Sequence, residues 1–152
     1  MSKMYPEIVL MMIGPYEKSQ LKDPNLQNKY ESHPSIISLG KINQEEIPLY
    51  MTLMDVFVLP AWWEGFGNVL IQAAAMRVSL ISTTGTGTIE AVSDGFNGIL
   101  VPVEDKLALK ESMIKMLKDQ DLREEFGKNG LEWVKNFDRN LIWSEMNNIY
   151  KS

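Results

Sequence analysis

Apolar and polar positions alternate along this chain in two rhythms. Over the first two thirds, short apolar runs stop at glycine, proline or threonine: Ile8 to Ile13 before Gly14-Pro15, Ile36 to Leu39 before Gly40, Val56 to Leu59 before Pro60, Leu80 to Ser82 before Thr83-Thr84-Gly85, and Ile99 to Val101 before Pro102. Runs of this length, closed by turn residues, predict strands, with Val56 to Leu59 buried on both faces and Ile8 to Ile13 central. The segments between them predict helices. Asp23-Pro24 opens a short one that ends before His33-Pro34, and Asn43 with Glu46 forms a capping-box pattern for another. That second helix is expected to run to about Met54, with Ile47, Tyr50, Met51 and Met54 on its apolar face. Good helix formers follow from Val69 to Met76, and a short helix is predicted from Thr88 to Ser93. Asp94-Gly95 and Asn97-Gly98 are turns.

Beyond Pro102 the rhythm is helical only. Leu109, Met113, Met116 and Leu117 form one stripe, Ile142, Met146, Ile149 and Tyr150 another, and Leu122, Phe126, Trp133 and Phe137 a third apolar face. Strands alternating with helices predict right-handed crossovers, so the expected fold class is α/β, a parallel sheet of about five strands with flanking helices and a helical C-terminal cap.

The stretch from Val56 to Met76 organises the rest. It reads as strand, loop and helix, and the loop carries Glu64 between Trp62-Trp63 and Gly65-Phe66-Gly67. Glycines there allow tight turns and close backbone approach, where the first unpaired amides of the helix point outward. Asn68 and Gln72 are one helical turn apart, and Glu64 lies one turn further back. A polar stripe on an otherwise apolar helix faces either a compensating partner or a ligand crevice, and an open α/β sheet has its crevice at the carboxyl ends of the strands. The competing reading is that Glu64 caps the helix and the amides serve the loop itself. Trp62 and Trp63 read either as stacking surfaces for a sugar or base or as core.

Composition narrows the field. The 152 residues, 45% hydrophobic, suit a single domain with its own core. No apolar run approaches the ~20 residues of a membrane helix, and Met1-Ser2-Lys3-Met4-Tyr5-Pro6-Glu7 is not a signal peptide. With no cysteine, disulfides and thiolate metal sites are excluded, and a cytoplasmic location is expected. A net charge of -5 argues against nucleic acid. One histidine, His33, builds neither a triad nor a metal centre and reads as solvated. Gly85-Thr86-Gly87-Thr88-Ile89-Glu90 begins like a dinucleotide fingerprint, but Glu90 stands where the third glycine belongs. The methionines read as gap-filling core. A flavodoxin-like or receiver-like domain would need an acidic cluster or phosphate loop after the first strand, and Ile13-Gly14-Pro15 supplies neither.

The block from Leu59 to Ala73, then Thr86 to Val92, then Asp94-Gly95-Phe96-Asn97-Gly98-Ile99-Leu100-Val101-Pro102 and the closing helices, resembles the C-terminal domain of family 4 glycosyltransferases. The resemblance covers nearly the whole chain from about Ile8. It implies half of a GT-B architecture, in which two Rossmann-like domains close over a cleft and the C-terminal one holds a nucleotide-diphosphate sugar as substrate, with no cofactor. Glu64 matches the first glutamate of the family's Glu-x7-Glu motif, against the donor sugar. Gly65, Phe66, Gly67, Asn68 and Val69 match the turn and helix start that approach sugar and diphosphate. The motif's second glutamate, which meets the ribose, falls on Gln72, and Gly40, Lys41 and Ile42 match the turn that meets the base.

The resemblance implies the donor-binding portion of a retaining glycosyltransferase, acting on a glycan or lipid-linked acceptor held by an N-terminal domain; the alternative is a degenerate nucleotide-sugar-binding module. Glutamine at 72 keeps an acceptor for a hydroxyl but loses a charge-assisted bond. The family's preceding strand and helix, with their diphosphate-binding arginine and lysine, and its acceptor domain are expected to lie outside this chain. The isolated chain is then expected to be inactive, no catalytic residue is assigned, and open sheet edges are expected to drive self-association.

Overall fold

The computed structural model describes residues 5, 7–15 and 25–138, and the chain divides into two compact units, Met1–Ile47 and Pro48–Ser152. In the first, β1 (Leu10–Ile13) and β2 (Ile36–Gly40) pair in parallel, with α1 (Leu26–Glu31) between them in sequence. β1 begins two residues later than the apolar run because its pairing begins there. The Leu10 amide donates to the Ser35 carbonyl at 2.8 Å, whereas the Ile8 amide turns back to Tyr5. α1 starts after Asn25; the expected opening at Asp23-Pro24 lies outside the described residues. His33 is half-buried rather than simply solvated, and its Nδ1 accepts from the Ser35 amide at 3.2 Å.

The second unit holds α2 (Ile47–Met51, whose first residue closes the first unit), β3 (Val56–Leu59), α3 (Asn68–Ala75), β4 (Ser79–Thr83), α4 (Thr88–Ala91), β5 (Gly98–Val101), α5 (Lys106–Lys118) and α6 (Gln120–Trp133), followed by a 3-10 turn at Val134–Phe137. Its three strands are parallel in the order β3-β4-β5, with Leu59 opposite Ser82 and Thr83 opposite Val101. β4 is central, and all five of its residues are buried. Strands and helices are of the expected class, but the strands form a pair and a triplet rather than one ladder of five. A parallel ladder needs neighbours about 4.8 Å apart over several residues, and β3 has such a neighbour only in β4 among the described residues.

α2 departs from its expected span of Asn43 to Met54. A helix starting at Asn43 would put Pro48 in its interior, where the ring strikes the carbonyl four residues back and one hydrogen bond is lost. Starting at Ile47 instead places Pro48 in the first turn, where no bond is due. The apolar face is as expected: Met51 is buried, Ile47, Tyr50 and Met54 half-buried, and Leu49 and Leu53 exposed.

The C-terminal helices close the core. Asp105 caps α5, accepting from the amides of Leu107 and Ala108 at 3.1 and 2.9 Å, and Asp119 caps α6 through the Leu122 amide at 2.9 Å. Ile81, Met116 and Phe126 form a buried cluster on which Val56, Val58, Ile99, Leu109, Met113 and Leu122 pack. Arg123 Nη1 donates to the last carbonyls of α5, Met116 at 2.5 Å and Leu117 at 3.1 Å, groups the helix itself leaves unpaired. The stripe from Ile142 to Tyr150 lies outside the described residues.

Candidate functional site

Two loops leave the carboxyl ends of β3 and β4, and buried hydroxyls of β4 bind β3 and the start of the loop that follows it. Ser79 Oγ donates to the Asp55 carbonyl at 3.0 Å and Ser82 Oγ to that of Leu59 at 2.8 Å, while Thr83 Oγ1 donates to that of Ala61. Thr88 Oγ1 reaches back to the carbonyls of Thr83 and Gly85, at 2.5 and 2.7 Å. All four side chains are buried, and burying a hydroxyl without a partner costs on the order of 1–3 kcal/mol. β3 is therefore tethered to β4 at both ends, and the loop after it is held at Ala61.

Further out, the loops touch backbone to backbone. Trp63 bridges Thr86, and the Glu64 amide donates to the Thr86 carbonyl at 2.9 Å. This contact is possible only because of what residue 87 lacks. A Cβ on Gly87, which sits at φ +81°, would overlap the Glu64 carbonyl oxygen. Gly67 is the reciprocal case: at φ +64° its Cβ would lie 2.8 Å from the Gly87 carbonyl oxygen. The two glycines key the loops together. Gly85, Gly87, Thr83 and Thr88 thus position the Glu64 turn, a role the partial dinucleotide pattern did not suggest. The readable signal was three hydroxyl residues, Ser79, Ser82 and Thr83, in a strand otherwise apolar.

Gly67 is the N-cap of α3, and no side chain caps that helix, so the reading of Glu64 as its cap is not the arrangement found. The first helical bonds run from the Leu70 and Ile71 amides to the Gly67 carbonyl, at 2.8 and 3.3 Å. Among the described residues, no group accepts from the amides of Gly65, Phe66, Gly67, Asn68 or Val69. Glu64 and Gln72 are half-buried and Asn68 is exposed. Phe66 is anchored by an edge contact with Phe137, centroids 5.7 Å apart. Glu64, Gly65, Phe66, Gly67, Asn68, Val69 and Gln72 are therefore gathered in one turn and the helical turns it opens. Gly40, at φ +63°, Lys41, exposed, and Ile42, half-buried, follow β2 in the first unit.

Chemically, unpaired amides at the start of an eight-residue helix form a receptor for oxyanions. The adjacent Glu64 carboxylate suits hydroxyl donors rather than a second anion. From Val56 to Met76 there is no lysine or arginine, so an anion in this turn would be held by backbone. No helix of the described residues is long and apolar enough to cross a membrane.

Comparison with known proteins places these features in a lineage. The chain is 35% identical over 146 residues to CapM, a capsular polysaccharide biosynthesis glycosyltransferase of Staphylococcus aureus; the match covers 95% of this chain and 38% of CapM. The chain therefore spans well under half the length of that relative. The crystal structure of the C-terminal domain of LpcC, a glycosyl transferase group 1 family protein of Francisella tularensis, superposes with a TM-score of 0.77 at 26% identity, over 89% of this chain and 72% of that one. Anabaena HepE, crystallised with UDP-glucose, shares the fold at a TM-score of 0.79 and 20% identity, over 96% of this chain and 41% of its own. The family model described as glycosyl transferases group 1 matches residues 1–133. The chain belongs to that family, with the α/β fold of the C-terminal domain of GT-B glycosyltransferases.

Proposed function

We propose that this chain is the donor-binding portion of a retaining glycosyltransferase that moves a sugar from a nucleotide-diphosphate sugar to an acceptor such as a growing glycan. The observation that carries this reading is the row of unpaired amides from Gly65 to Val69, held beside Glu64 by the loop after β4. Glu64 receives hydroxyls of the donor sugar, the amides receive the diphosphate, and Gln72, two turns along, receives the ribose. Catalysis in such a site rests on orienting the donor and stabilising the departing diphosphate. CapM, named for capsular polysaccharide synthesis, supports a glycan or lipid-linked glycan as acceptor. Turnover is assigned to the assembly with an acceptor-binding domain, so the isolated chain is expected to bind donor without transferring it.

Titration of the chain with UDP, GDP and UDP-glucose, followed by amide NMR, tests this. Shifts at Gly65 to Val69 are expected, with Glu64→Ala weakening only the sugar-bearing ligand and Gln72→Glu tightening all that carry ribose. Silence toward every nucleotide at millimolar concentration overturns the reading. Gln72 itself favours a second one, a nucleotide-binding module without chemistry, because it is half-buried and carries no charge for the ribose hydroxyls. Equal affinity for UDP and UDP-glucose, unaffected by Glu64→Ala, would decide for the module.

A further inference from the structure

Trp62 and Trp63 are 66% and 74% exposed, which settles against core a pair of residues whose burial is worth several kcal/mol. Loose backbone does not account for this. Trp63 is bridged to Thr86, the amide after it is bonded to Thr86, and Thr83 holds the Ala61 carbonyl. The carbonyls of Ala61 and Trp62 both lie so close to residue 85 that a Cβ there would come within 2.8 Å of each. The indoles are thus presented on a fixed support, and an occupant would spend little conformational entropy in ordering the backbone beneath them.

The surroundings restrict what that occupant is. No cation occurs from Val56 to Met76, and the nearest ionisable group along the chain is Glu64. Nucleic acid and anionic lipid headgroups both call for lysine or arginine beside the aromatic surface. A neutral pyranose does not. Its C–H face is apolar and lies flat on an indole, and its hydroxyls call for no cation. If the donor's diphosphate occupies the amides from Gly65 and its sugar lies at Glu64, the two preceding residues extend about 7 Å beyond, on the order of one further sugar ring.

We propose that Trp62 and Trp63 form a stacking platform for a neutral pyranose of the acceptor glycan. The proposal rests on the donor-site reading above, and the test is arranged to separate the two. The full chain, labelled at its indole nitrogens, is titrated with maltohexaose, cellohexaose and chitohexaose, then with UDP, then with phosphatidylglycerol vesicles. At least one hexasaccharide is expected to shift the Trp62 and Trp63 indole N–H signals and leave that of Trp133 in place. Trp62→Ala with Trp63→Ala should weaken that saccharide tenfold or more and leave UDP affinity within twofold, and tyrosine at both positions should restore much of the loss. Both side chains are exposed, so these variants are expected to keep the wild-type amide spectrum.

UDP binding with no saccharide response overturns the platform and leaves the donor reading intact. Saccharide binding at the indoles without any response to UDP overturns the acceptor role together with the donor site. A response to vesicles instead of saccharide, or self-association that the double alanine variant abolishes, overturns the proposal in favour of a lipid surface or a second copy of the chain.

Discussion

Residue 87 has less freedom than any position in the candidate site that bears a side chain, because its α-hydrogen faces the Glu64 carbonyl. Gly87→Ala adds a left-handed backbone cost of about 1–2 kcal/mol to an overlap that moves the turn. Gly95, at φ +73° with nothing within 4 Å of a Cβ, supplies the control. Urea denaturation is expected to show a loss of about 1 kcal/mol for Gly95→Ala and at least twice that for Gly87→Ala, with only the latter shifting the amides of Gly65 to Asn68. Equal losses would mean that the contact with Glu64 carries no weight. At this scale the sequence was legible in part. Asn68 and Gln72 could be placed on one face of α3 by spacing, since helical periodicity is local. The part played by Gly87 was not legible, because it depends on a contact between residues more than twenty positions apart.

Helix and strand types followed from periodicity, and their ends did not. Leu109, Met113 and Met116 of the α5 stripe lie on the core because the stripe is set by α5 alone, and Met116 is fully buried while Leu117 is half-buried. β1 lost two residues because a strand's ends belong to its partner. α2 lost its first turn to Pro48, whose steric demand outweighed the capping pattern of Asn43 and Glu46. Replacing the proline tests that ranking. Pro48→Ala is expected to extend α2 back toward Gln44, visible as helical Cα chemical shifts at residues 44–46. Unchanged shifts would show that something other than the ring sets the helix start.

Across the whole molecule, stability is unevenly shared. Every buried hydrophobic among the described residues lies between Met51 and Phe126, and the pair β1-β2 is a two-stranded sheet, a form that is marginal without support. Native-state hydrogen exchange is therefore expected to protect the β4 amides longest and to release those of β1 and β2 at much lower opening free energy. Uniform protection would contradict this division. Among the described residues β3 pairs on one side only, with β4, and a strand edge without a partner is the usual template for pairing with another chain. Light scattering is expected to show a mass that rises with concentration; a constant monomer mass would count against edge pairing. The parallel α/β class was legible because alternation of short apolar runs with helical stretches admits few topologies. The division into a pair and a triplet was not, since strand adjacency leaves no mark on any single run.

The keyed glycines bear on how such a site can be altered. Residues 60–68 and 83–88 form a single cast piece in two segments, so a graft that brings a new sequence for the first segment will inherit its shape only when the second travels with it. Engineering donor preference one loop at a time is then expected to yield misfit, whereas exchanging both segments as a cassette preserves the mould.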